Sequence, residues 1–148
     1  MTSTLHHAAD RESILARARR LSPATRPRWG RMNAPQMLVH ITDAMRMATG
    51  DLVVRGRRHP ASLPVIKQLL LYVVPMAKNL PTAAELVARA PGAFDEEMRA
   101  FVASVQQFGE RDAAAAWPDH PLFGAMSPHA WGALAYKHTD HHLTQFGL

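Results

Sequence analysis

Residues 93–112, AFDEEMRAFVASVQQFGERD, carry the most regular pattern in the chain. Phe94, Met98, Phe101, Val105 and Phe108 fall four, three, four and three positions apart, a step that gathers side chains into one stripe along an α-helix. A helix with such a stripe draws most of its stability from packing it against neighbours. The stretch therefore predicts a bundle rather than a lone helix.

Outward from it the same period recurs, and no run alternates as a strand would. Ile14, Leu15, Ala18 and Leu21 set a first helix over 9–21, and Pro23, Pro27 and Gly30 make the loop after it. Asn33 followed by Pro35 is a good helix start, because Asn caps and Pro is tolerated in the first turn. That second helix runs to Thr49, where Gly50 supplies a stop. The apolar stretch 63–78 reads as a shorter helical segment, and Pro81 and Pro91 bracket another short piece. Trp117-Pro118-Asp119-His120-Pro121 is a loop, after which Ser127 caps a last helix running almost to Leu148. The reading is all-α: four long helices in one domain, 1–148, with an extra short helical segment between the second and third.

Composition narrows the chemistry. The 148 residues include no cysteine, so thiolate zinc sites, iron–sulfur clusters, disulfides and a Cys nucleophile are excluded, and any metal must be held by nitrogen or oxygen. The formal charge is +5, concentrated in the first half: six arginines lie between Arg17 and Arg31, and Arg55, Arg57 and Arg58 form a second knot. A solvated arginine-rich surface explains these, and without stacking aromatics or a groove-reading helix nucleic acid is not the expected partner. The run Leu63–Met76 is interrupted by Lys67, Gln68 and Pro75 and is too short for a membrane span. With no apolar signal core in the first thirty residues, a cytoplasmic protein is expected. The surplus of apolar residues in 63–78 predicts a homodimer contact.

Nine histidines are many for this length. On the last helix the inner face is expected to run Trp131, Leu134, Ala135, His138, His142, Phe146. His138 and His142 are one helical step of four apart, about 40° in azimuth and about 6 Å in rise, so both rings can grip one ion. On the second helix Met37, Ile41, Ala44 and Ala48 mark the inner face and His40 lies beside it. Three inward imidazoles repel one another if charged, and a divalent cation relieves that while using the neutral form. A lone core histidine is more often a satisfied polar residue than a ligand; the pair with a third makes a metal site the sharper expectation. His6 and His7 are expected in a frayed N-terminus. His59 lies in the basic loop and His129 in the first turn of the last helix. His120 is expected to be anchored with Trp117, Leu122 and Phe123.

The run Tyr136-Lys137-His138-Thr139-Asp140-His141-His142-Leu143-Thr144-Gln145 reads H-x-x-H-H-x-x-Q, and Ala34-Pro35-Gln36-Met37-Leu38-Val39-His40-Ile41-Thr42-Asp43-Ala44 has the matching early-helix form. Together they resemble the DinB/YfiT-like superfamily of metal-dependent enzymes. The loop His120-Pro121-Leu122-Phe123-Gly124, Trp131 and the ending Gln145-Phe146-Gly147 look like a branch known as a domain of unknown function. The resemblance implies a DinB-like four-helix bundle holding one divalent metal, nickel or zinc, on His40, His138 and His142. It implies no ligand role for His141, and at most supporting roles for Gln145 and Asp43.

Three neutral ligands would leave the ion its full charge and open positions for water or substrate. Asp43 or Asp140 is a candidate to orient a ligand imidazole or accept a proton; a solvated helix residue is the plainer reading of Asp140. Water bound at such a position would act as a nucleophile, as in a hydrolase. The superfamily resemblance implies a transferase of low-molecular-weight thiols or a thiol-dependent isomerase. The expectation is a metal-dependent hydrolase or thiol transferase with a small-molecule substrate. The alternatives are a non-catalytic metal-binding or stress-related bundle and, more weakly, a nucleic-acid-binding protein. No G-x-S-x-G elbow and no phosphate-cradling glycine loop is present.

Overall fold

The computed structural model describes residues 2–148. It is all-helical, with five α-helices: α1 (Ala8–Ala18), α2 (Ala34–Thr49), α3 (Pro64–Tyr72), α4 (Phe94–Glu110) and α5 (Pro128–Gln145). Among the described residues there is no strand, only an isolated bridge between His120 and Gly124. Among the described residues no helix is long and apolar enough to cross a membrane.

α2 is the centre of the molecule. Asn33 opens it with a capping box, its side chain accepting from the Gln36 N–H while Gln36 reaches back to the Asn33 N–H, so two otherwise unpaired donors are satisfied at once. Gly50, at φ +88°, closes it, a left-handed cap that glycine adopts without strain. Eleven of its sixteen residues are buried, so α2 is wrapped on most sides rather than on one stripe. It packs against α4 and α5, and α1 packs against α4 and α5. Ile14, Met37, Ile41, Phe101, Phe108, Trp131 and Leu143 fill the space between them.

Two sequence expectations need correction. The apolar segment 63–78 is helical only to Tyr72, because the residue before Pro75 is steered away from helical angles. The piece between Pro81 and Pro91 is a single 3-10 turn, Ala84–Leu86. Second, the N-terminus is not frayed at His6. Its ring stacks on Phe108 at 5.5 Å and its Nε2 lies 3.0 Å from the Pro128 carbonyl, while the Leu5 N–H donates to Gly132. A Cβ on Gly132 would come within 2.3 Å of Thr4 Oγ1 and 2.4 Å of the His6 ring. The glycine is what lets residues 2–7 cross α5 at close range. His7, by contrast, is exposed.

Residues 51–92 make a long excursion between α2 and α4. Its α3 leans on α5, where the Lys137 ammonium donates to the Leu70, Leu71 and Val74 carbonyls, satisfying the open end of α3.

Candidate metal centre

The capping box fixes the start of α2 and brings His40, two turns on, under the excursion, where it is only 4% exposed. Its Nδ1 lies 3.1 Å from the Leu86 carbonyl. A carbonyl only accepts, so Nδ1 carries the proton and the Nε2 lone pair is free. On α5, His142 Nδ1 lies 2.7 Å from Gln145 Oε1. The Gln145 amide is oriented in turn, since its NH2 donates to the Trp29 carbonyl at 2.7 Å. His142 therefore also has its proton on Nδ1 and a free lone pair on Nε2.

Both lone pairs meet His138. Its Nε2 is 3.0 Å from His40 Nε2 and 3.1 Å from His142 Nε2, and the three ring centroids are 4.7–4.9 Å apart. One N–H on His138 could satisfy one of those acceptors, never both. A cation at the common point satisfies all three. A tetrahedral ion with bonds of about 2.0–2.1 Å spaces its ligand atoms about 3.3 Å apart, close to the 3.0 and 3.1 Å that His138 Nε2 makes with the other two. The group can hold a metal ion, its ligand atoms all lying within 4.8 Å of one another.

Electrostatics favours the neutral rings that a metal needs. Burial lowers the His40 and His138 pKa below the ordinary 6.5, and at His138 the neighbouring His142 and His40 add to it. Burial, with help from His40, takes His142 down to about 4.

The surrounding candidates separate. Gln145 holds His142 directly. Asp43 does not touch a ligand ring: its carboxylate, buried, accepts from Arg46 and from Arg89. Arg89 also grips the buried Glu97 at 3.1 Å, and Glu97 accepts from the Gly92 N–H. This clamp ties the segment that carries the Leu86 carbonyl onto α2 and α4. Asp43 thus supports His40 at one remove. Asp140 pairs with Arg17 and orients no ligand. His141 stands outside the trio, edge-on to Trp29 at 5.7 Å. His120 is anchored by Leu122 and Phe123 as expected, its Nδ1 accepting from both N–H groups, but its ring packs on Trp131, while Trp117 packs with His6 and Phe108 instead. Burial takes its pKa to about 4. The Leu86 carbonyl and the Arg89 clamp have no signature in the sequence, because a backbone acceptor is invisible there and Arg89 sits in a stretch without period.

The trio opens onto one cavity of about 760 Å3, which His120, His141, Gln145 and Lys137 also line. Comparison with curated proteins and with solved structures finds no match. One family profile matches residues 3–147, nearly the whole chain. By that match the chain belongs to the family described as protein of unknown function (DUF1569).

Proposed function

We propose that this protein is a divalent-metal-dependent enzyme with a three-histidine site, built as a DinB-like bundle of α1, α2, α4 and α5. The observation that carries the reading is the convergence of three Nε2 atoms, two with their lone pairs fixed by Leu86 and Gln145, on a single point. Nickel or zinc suits an all-imidazole set. When bound there, the ion supplies a Lewis acid with coordination positions left over. The cavity in front of the trio favours an enzyme over a purely structural ion, whose shell would be closed by a fourth side chain. Among the described residues no cysteine, aspartate or glutamate joins the group. Hydrolysis and transfer of a low-molecular-weight thiol are the two reactions proposed; a substrate thiol would have to come from outside, the chain having none.

The test begins with elemental analysis and zinc and nickel titration of the untagged protein. One ion per chain is expected, lost in His142→Ala with the helical signal retained, since Phe101, Val105 and Phe108 still fill the core. Binding that survives both His142→Ala and His138→Ala would refute the site. Loaded protein is then assayed for ester and amide hydrolysis and for thiol transfer.

We also propose a homodimer. α3 and its two capping residues leave Leu63 at 55%, Val65 at 73% and Val73 at 69% exposure, an apolar surface of the kind that interfaces cover.

A further inference from the structure

The cavity at the metal centre has a chemistry of its own. At about 760 Å3 it lies within the roughly 300–1,000 Å3 of small-molecule pockets. Its wall is mainly apolar, with Met45, Val54, Leu70, Val74, Leu80 and Phe123 supplied by α2, the excursion and the 117–124 loop. No aspartate or glutamate lines it. Its charged side chains are Arg31, Arg57 and Lys137. Lys137 is committed to the carbonyls at the end of α3. Arg31 and Arg57 are exposed and, unlike Arg17, Arg46 and Arg89, have no carboxylate partner among the described residues.

Each feature excludes a class of occupant. A cationic ligand would meet arginines and no counter-charge. A small inorganic anion would leave the apolar wall facing water. A neutral apolar ligand would make no use of two unpaired guanidinium groups, whose forked donors match a carboxylate. We propose that the cavity captures an amphipathic anion: a carboxylate on an apolar chain or ring system, with the body against the apolar wall and the charge on Arg31 and Arg57. The inference rests on the metal-site reading for what becomes of the ligand, and on the lining alone for its capture.

Calorimetric titration of the full-length protein, metal-free and zinc-loaded, tests it with decanoate, 1-decanol, decyltrimethylammonium and acetate as probes. Trp29 and Trp131 line the cavity and give a fluorescence readout in parallel. Decanoate should bind one per chain, at least about tenfold more tightly than the alcohol or the ammonium, with acetate giving no saturable signal. Arg31→Ala with Arg57→Ala should weaken decanoate by about tenfold and leave 1-decanol unchanged. Both arginines are exposed, so circular dichroism should show the double variant folded. Equal affinities for the three ten-carbon probes, no binding of any, or a double variant that holds decanoate as well as the parent would overturn the proposal. Zinc titration of the same sample keeps the two readings apart: protein that takes zinc and ignores decanoate sinks only the ligand class, and protein that takes decanoate but no zinc sinks only the metal site.

Discussion

Acid should unfold the metal-free protein early, and histidine accounts for it. In the unfolded chain a histidine titrates near 6.5; in the fold, burial holds His120 and His142 neutral down to about 4. Between these values the unfolded state binds more protons, so stability falls as pH falls. It is fully present above about 6.5 and lost progressively as pH drops through about 4. At pH 5 the gap amounts to about 2 kcal/mol for each ring. His40 and His138 are shifted in the same direction and add to the loss. For a chain of this size about 4 kcal/mol from the first two corresponds to a fall of roughly 8–16 °C in Tm. Differential scanning fluorimetry of chelator-treated protein at pH 7.5, 6 and 5 measures it. His120→Gln, which keeps an acceptor for the Leu122 and Phe123 N–H groups and removes one titrating ring, should recover about 2 kcal/mol of the loss. A Tm unchanged between pH 7.5 and 5 would refute the reasoning, because it would mean the rings are solvated and charge freely in the fold. Zinc at a hundred times its Kd should add about 2.7 kcal/mol of stability at pH 7.5 and raise Tm accordingly, and raise it less at pH 5, where protons compete for the same lone pairs.

Arg89→Ala should cost about 3 kcal/mol in urea denaturation, because it leaves the Glu97 carboxylate, 7% exposed, with no cation and the Asp43 carboxylate, 3% exposed, with Arg46 alone. It should also weaken zinc binding more than Arg89→Lys does, since the clamp steadies the Leu86 carbonyl that orients His40. Gly132→Ala should detach residues 2–7 from α5, which limited proteolysis would register as rapid cleavage near His6 with the rest of the chain intact. Light scattering at tens of micromolar should give twice the chain mass; Val65→Glu with Val73→Glu should return it to one, and a monomeric parent would end the dimer proposal.

What could be read from the sequence was what depends on period and capping. α4 falls within 94–110 against 93–112 read, and α2 starts after Asn33 as the cap requires. That His138 and His142 share one face of the last helix, with His40 beside the inner face of the second, was legible for the same reason, since helical spacing fixes the face a residue occupies. The rest was not, because it depends on backbone groups and on contacts between distant segments. Nothing in the order of residues says that the Leu86 carbonyl meets His40, or that Arg89 reaches Asp43 and Glu97. His6 was misjudged because terminal position argues for fraying, whereas the space above Gly109 and Gly132 admits the chain. Asp43 sits one turn beyond His40, yet two arginines bind its carboxylate and keep it off the ring.

The excursion between α2 and α4 divides labour within the molecule. From residue 52 to 92 only Ala61, Leu71 and Leu86 are buried apolar residues, while the same segment supplies Val54, Arg57, Leu70, Val74 and Leu80 to the cavity. The three rings of the proposed metal site belong instead to α2 and α5. On the proposed reading, a substitution in the cavity wall would change what is admitted at little cost to folding, and one at the three rings would change whether an ion is held. Within the excursion the two roles meet at Leu86, which lines the cavity and whose carbonyl aims His40. A new ligand preference could be installed in this scaffold by rewriting the excursion around that one fixed point.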